Sequence, residues 1–138
     1  MKNIEVVAAV IIKNRKILAA KRGYGEFKGK WEFPGGKIKE NESKKEALKR
    51  EIKEELNTDI KNLKYLTTVN YNYPTFHLTM HTYVCDLDGN IEYVKHNEEE
   101  LEYDEMVWLE QSELDEVDWL PADIEVVNSY KALKGVIL

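Results

Sequence analysis

Residues 31–60 read WEFPGGKIKENESKKEALKREIKEELNTDI, and the pattern changes halfway through. Trp31-Glu32-Phe33 has the composition of a short strand, which Pro34-Gly35-Gly36 ends sharply. From Ser43 to Leu56 the period becomes helical. Ser43 and Glu46 have the spacing of a capping box, in which each side chain satisfies a free backbone N–H at the helix start. Leu48, Ile52 and Leu56 recur every four residues and give the helix a narrow apolar stripe. Asn57, a residue that tolerates left-handed geometry, closes it.

On that helix Glu51, Glu54 and Glu55 fall within about one turn and point in neighbouring directions. Three carboxylates so close repel one another, and a divalent cation removes the repulsion. Hard oxygen ligands suit Mg²⁺ or Mn²⁺, and Mg²⁺ usually bridges to substrate phosphates. Arg50 can reach Glu46 or Glu54 at helical spacing, and Glu42 lies just before the helix. An arginine fork holds a carboxylate in a fixed orientation better than a lysine does. Gly35 and Gly36 let backbone groups approach a metal or phosphates closely. A helix of lysines and glutamates laced by surface ion pairs is the competing explanation, since 19 of 138 residues are Glu. It does not account for the whole spacing from Gly36 through Glu42 to Arg50-Glu51 and Glu54-Glu55. A chance match to that pattern is on the order of a few in a hundred thousand.

Outward from this segment, Ile4–Lys13 and Lys16–Arg22 read as strands joined at Asn14-Arg15, and Gly23–Lys30 as a loop. Lys64–Asn72 and Phe76–Asp86 read as a strand pair around Tyr73-Pro74-Thr75. Asp88-Gly89-Asn90 is a turn leading to a strand at Ile91–Lys95. Glu98–Glu105 holds six acids in eight positions and reads as a solvated loop. Met106–Leu109 reads as a short strand. Pro121 opens a final helix with Val126, Tyr130 and Leu133 on one face and Gly135 as its stop. These elements make one mixed α/β domain over residues 1–138, with a central helix between sheet segments.

The 138 residues carry 20 basic and 26 acidic side chains, a net charge of −6, and 43% are apolar. That apolar share is too large for disorder. The longest apolar run, Val6–Ile12, is too short to span a bilayer. No basic-then-apolar leader is present, and Cys85 is the lone cysteine, so a reduced, cytoplasmic setting is expected. The acidic balance speaks against a duplex-binding protein, and phosphate chemistry here needs a cation. His77 and His81 share a strand face without a cysteine partner, and with His96 they read as ordinary strand or surface positions rather than a metal site.

Gly36, Glu42, Arg50, Glu51, Ile52, Glu54 and Glu55 resemble the Nudix box. Lys21-Arg22, the WEFPGGK of Trp31–Lys37 and the LPADI of Leu120–Ile124 resemble the MutT-like branch, including its CTP and modified-dNTP pyrophosphohydrolases. The resemblance implies an α/β/α sandwich around a central mixed sheet, and Mg²⁺- or Mn²⁺-dependent release of pyrophosphate from a nucleoside triphosphate. It implies Glu54 and Glu55 as principal metal ligands, Glu51 in support, the Gly35 carbonyl joining them, and Arg50 orienting the glutamates. Glu102, six residues before Trp108, matches the branch's late carboxylate, a general base, with Glu98 and Glu105 as rivals. Arg22 and Lys37 are candidates for the phosphate tail, and Phe33 and Tyr73 for stacking on the base. Asp123 stands where the oxidised-guanine enzymes often have Asn and the cytidine-type enzymes have Asp. A carboxylate there only accepts hydrogen bonds and favours a donor edge such as the cytosine amine, but guanine, including an oxidised guanine triphosphate, also offers two adjacent donors, and helix capping also explains the residue. Two positions depart from the family pattern. Asn57 replaces a usual glycine, and Thr58 replaces an aliphatic residue at a small expected cost in stability. The expected partner is a small nucleotide, with no nucleic acid duplex and no membrane, and the protein is expected to be a monomer or homodimer. The alternatives are a Nudix hydrolase of another diphosphate, such as a nucleotide sugar, and a non-catalytic nucleotide-sensing module.

Overall fold

The computed structural model describes residues 1–91 and 103–137. β1 (Lys2–Lys13) and β2 (Lys16–Arg22) form a hairpin whose turn residues Asn14 and Arg15 are both left-handed, at φ 52° and 67°. Such a turn matches the twist of its flanking strands. β3 (Trp31–Glu32) and β4 (Gly35–Lys37) precede α1 (Lys44–Leu56). β5 (Asp59–Tyr73), β6 (Phe76–Asp88) and β7 (Tyr103–Leu109) follow, then a 3₁₀ turn, Gln111–Glu116, and α2 (Pro121–Ile137).

The described strands make one seven-stranded mixed sheet. β1 runs parallel to β6 along its length, and β5 flanks β6 antiparallel. β2 pairs with β1 only beside the hairpin and then diverges to lie between β3 and β7. β4 takes the edge of β1 that β2 leaves open, setting Gly36 opposite Val7 and Gly35 opposite Ala8. Gly35 and Gly36 therefore belong to a strand, where the sequence reads as a sharp stop. A Cβ at Gly35 would strike the Val7 carbonyl and come within 2.7 Å of Ala8 Cα, so only glycine fits this pairing.

Both faces of β1 are covered, which is why its apolar run is continuous rather than alternating. Val7, Ala9 and Ile11 face α1 and its buried Leu48, Ile52 and Leu56, while Ala8 and Val10 face the Val126, Val127 and Tyr130 of α2. Each fully buried Val, Leu or Ile among them contributes roughly 1.5–3 kcal/mol from burial. The helices thus sandwich the sheet.

Several boundaries differ from the sequence reading. β5 begins at Asp59, not Lys64; a register shift between Lys61 and Lys64, with Asn62 at φ 57°, breaks the alternation that would mark it. Tyr103–Glu105 belong to β7 rather than to a solvated loop, because Lys21 on β2 neutralises Asp104 and Glu105 at 3.4 and 3.3 Å. α2 runs through Gly135 to Ile137, and Leu133 is exposed, Val127 occupying the buried stripe instead. A glycine inside a helix costs only about 1 kcal/mol, too little to stop it. Beyond Ile91, the strand expected at Ile91–Lys95 lies outside the described residues, as do Glu98, Glu102 and His96. His81 is buried rather than superficial, its Nε2 2.6 Å from Glu5. No helix among the described residues is long and apolar enough to cross a membrane.

Candidate functional site

α1 is held at both ends as its sequence demands. Glu46 N–H donates to Ser43 Oγ at 3.1 Å and Ser43 N–H to Glu46 Oε1 at 2.9 Å. Asn57 caps the other end in the left-handed region, its N–H donating to Lys53 O at 3.1 Å. Between these caps the buried stripe rotates Arg50, Glu51 and Glu55 toward the edge of β4.

Arg50 organises the charged part of the site. Its Nε and Nη2 donate to the two oxygens of Glu42 at 2.6 and 3.0 Å, and Nη2 also reaches the Lys37 carbonyl at 3.0 Å. Nη1 donates to Glu51 at 2.9 Å and to Glu54 at 3.2 Å. The Arg50 guanidinium, helped by the Lys39 N–H, pulls the Glu42 carboxyl down to about 2. Glu42 in turn raises Arg50 above its ordinary value. One guanidinium therefore ties the loop before α1, the strand β4 and two helix carboxylates together, which a lysine point charge cannot do.

Gly36 is bare for a different reason from Gly35. The Glu51 carboxyl occupies the place where its side chain would stand, with every carboxyl atom within 2.7 Å of a built Cβ. Glu55 is 8% exposed and accepts a hydrogen bond from the Tyr103 hydroxyl at 2.7 Å. Glu54 remains about half exposed.

Helical spacing predicts three converging carboxylates. Among the described residues no three acidic, imidazole or thiol groups stand close enough to enclose an ion, because Arg50 lies between Glu51 and Glu54. The donor set still fits a hard divalent cation. Glu51 rests on a glycine that leaves it room, and Glu55 is fixed. Glu54 is held only by one 3.2 Å bond at the surface, where such pairs are weak.

Glu51 and Glu55 line a cavity of about 540 Å³ together with Gly35, Gly36, Lys37, Arg22, Phe33, Tyr73 and Asp123. The cavity thus gathers most of the residues singled out from sequence. Arg50 and Glu54 do not line it, and Glu102 lies outside the described residues. Arg22, expected at the phosphate tail, donates from Nη1 to both Glu32 oxygens, at 2.9 and 3.2 Å. Phe33 stacks on Trp119 at 4.5 Å, and Tyr73 on Phe76 at 5.0 Å. The Tyr73 hydroxyl accepts the Ala122 N–H at 3.2 Å, tying it to the start of α2, and burial pushes it up to about 12.

Asp123, 3% exposed, is the most deeply buried charged side chain among the described residues of this cavity. Its Oδ1 accepts the Phe33 N–H at 3.0 Å, so it links the first turn of α2 to the β3–β4 connection while its own backbone N–H also favours the charged form. Burial, reinforced by Glu32, pushes its carboxyl well above the ordinary value, against the pull of the Phe33 N–H and Arg22. The acceptor-only carboxylate expected from sequence becomes a carboxyl driven toward holding its proton, with a donor beside an acceptor.

Sequence reasoning passed over two residues. Glu32 shows only as an acid between two aromatics, and its role follows from the pairing of β3 with β2, which brings it to Arg22. Tyr103 shows only as the one aromatic in an acidic run.

A family model described as "NUDIX domain" matches residues 2–130. A CTP pyrophosphohydrolase of Escherichia coli (strain K12) is 33% identical over 137 residues, covering 98% of this chain and 96% of that protein. An 8-oxo-dGTP diphosphatase of Proteus vulgaris is 37% identical over 81 residues, 57% of this chain and 72% of that protein. Among solved structures, the solution structure of the E. coli ORF135 protein superposes with a TM-score of 0.82 at 32% identity, covering 99% of this chain and 94% of that one.

Proposed function

Because the chain belongs to the Nudix family of nucleotide pyrophosphohydrolases, we propose that it hydrolyses a nucleoside triphosphate, of cytidine type first, to the monophosphate and pyrophosphate in a Mg²⁺- or Mn²⁺-dependent reaction. The observation that carries this reading is the shared cavity. Residues 33–36 run from the backbone N–H held by Asp123 to the bare Gly36 under Glu51, so a base-reading group and metal-type carboxylates face one substrate-sized space.

Glu54 and Glu55 would hold the cation with Glu51 and the Gly35 carbonyl in support. The cation supplies charge neutralisation on the phosphates and acidifies water. The chain's own groups do the rest. Arg50 holds Glu51 and Glu54 in register with Glu42 and β4. Lys37 contributes positive charge at the cavity wall, and Arg22, forked on Glu32, borders the phosphate path. In the reaction the water oxygen bonds to an internal phosphorus, the bridging P–O bond breaks, and its electron pair leaves with pyrophosphate. The water proton passes to a carboxylate, for which Glu102 is the candidate. Glu105 is less suited because it is paired with Lys21.

Asp123 favours cytosine within this reading. Burial favours the protonated carboxyl, and in that form it would set an O–H donor beside a carbonyl acceptor, matching the adjacent N3 acceptor and N4 donor of cytosine. The two adjacent donors of a guanine pairing edge suit an ionised carboxylate instead. The likeness to a CTP pyrophosphohydrolase over nearly the whole chain points the same way. A role in cleansing or balancing the cytoplasmic nucleotide pool follows from that substrate class.

The test is a panel of normal, oxidised and methylated triphosphates compared by kcat/KM, with pyrophosphate and orthophosphate measured separately. CTP or a modified cytidine triphosphate should lead, with pyrophosphate as the product and Mg²⁺ required. A nucleotide sugar turned over in preference to every triphosphate would overturn the reading, as would nucleotide binding without turnover. Glu54→Gln should remain folded and lose at least about a hundredfold in kcat; undiminished turnover would refute the metal role.

A further inference from the structure

We propose that Tyr103 is a positioning residue for this reaction: its hydroxyl, 2.7 Å from Glu55 Oε2, sets the orientation in which Glu55 meets the divalent cation. The inference rests on the metal-dependent reading above. Both partners are buried, Tyr103 at 2% and Glu55 at 8% exposure. A carboxylate that deep needs hydrogen bonds to stay in place. The 2.7 Å separation is that of a strong bond from a hydroxyl to a charged acceptor.

The identity of the donor matters. Arg50 orients Glu51 and Glu54 with a positive charge that competes with a cation. Tyr103 orients Glu55 with a neutral dipole, fixing one oxygen without bringing a positive charge of its own. Residues just outside a metal's ligands that work this way typically change affinity or activity by 10- to 100-fold when removed. The strand is pinned where this contact forms. Arg22 pairs with Tyr103 beyond a bulge at Lys21/Arg22, and Lys21 clamps the next two residues of β7. Tyr103 therefore reaches Glu55 from a fixed backbone on the far side of β2.

The experiment measures Mn²⁺ affinity of the substrate-free protein by electron paramagnetic resonance, in wild type, Tyr103→Phe, Glu55→Gln and the double variant, beside melting temperature and the Mg²⁺ dependence of kcat. Tyr103→Phe should weaken Mn²⁺ binding about tenfold and raise the Mg²⁺ concentration for half-maximal kcat, while the metal-free melting temperature moves by only a few degrees. In the Glu55→Gln background the same change should cost nothing further, since Tyr103 acts through Glu55. A Mn²⁺-induced tyrosine difference spectrum in the wild type, absent in Tyr103→Phe, gives a second readout that does not depend on turnover. Wild-type binding of Mn²⁺ with unchanged affinity in Tyr103→Phe overturns the positioning role and leaves the metal site standing. A wild type that binds no Mn²⁺ overturns both.

Discussion

Replacing Gly36 with alanine separates the site from the scaffold. A methyl group at Gly36 would have all three atoms of the Glu51 carboxyl group within 2.7 Å, whereas ordinary contact begins about 0.7–1 Å further out. The obstacle is the end of a flexible side chain, so β4 keeps its pairing and Glu51 retreats by roughly 1 Å, straining its 2.9 Å bond to Arg50. Misplacement by about 1 Å is enough to cost on the order of 100-fold in rate, about 2.7 kcal/mol in activation free energy. Gly35→Ala is the control, because there the methyl meets the Val7 carbonyl and Ala8 Cα, which cannot move without parting β4 from β1. The assay is pyrophosphate release from CTP, giving kcat and kcat/KM, beside thermal melts. Gly36→Ala should melt within a few degrees of wild type and lose most of its turnover; Gly35→Ala should melt much lower. Full activity in a folded Gly36→Ala protein would refute the placement of Glu51, and unfolding of Gly36→Ala with tolerance of Gly35→Ala would refute the sheet pairing.

Two further predictions concern stability. Thr58 is 3% exposed and its hydroxyl has no hydrogen-bond partner among the described residues; Thr58→Val keeps the shape, removes the unsatisfied group and should gain about 1 kcal/mol, which for a chain of this size is about 3 °C in Tm, with kcat/KM unchanged. An equal or lower Tm would show that the hydroxyl finds a partner. Asp123→Asn keeps an oxygen for the Phe33 N–H but cannot ionise. The folded protein raises the Asp123 carboxyl above its unfolded value, so its stabilising contribution is full below the ordinary carboxylate range and is lost as pH rises through the raised value. Melts across that window should therefore show Asp123→Asn gaining on wild type as pH rises, and a constant gap would contradict the burial argument.

What the sequence disclosed depends on how local the cause is. α1 was legible to the residue because its caps, Ser43 with Glu46 and Asn57, are local devices and its stripe has a single period. β4 was not, because Gly35 and Gly36 carry turn chemistry in sequence and become strand residues only once β2 swings away from β1. The start of β5 was hidden by a bulge, and that of β7 by acids whose counter-charge, Lys21, lies about eighty positions earlier in the chain. The site follows the same rule. Arg50 could be placed near Glu54 from helical spacing, but its grip on Glu42 and the Lys37 carbonyl depends on where the loop folds back. The altered character of Asp123 could not be read at all, since it comes from being enclosed.

The charge pattern explains why an acidic chain can act on a polyanion. Glu42, Glu51 and Glu54 converge on a single guanidinium, which Glu42 already occupies through two of its nitrogens. Glu51 and Glu54 share what remains, and Glu55 has a neutral partner in Tyr103. The excess negative charge would attract a divalent cation, and a cation bound there would reverse the local field toward phosphates. At the Asp123 end of the cavity the balance runs the other way. Burial favours the protonated Asp123 carboxyl, so on the proposed reading that end would discriminate by hydrogen-bond pattern rather than by charge. On the proposed reading, charge would select the phosphate chain and hydrogen-bond geometry the base, in one cavity that the short β3–β4 segment lines between them.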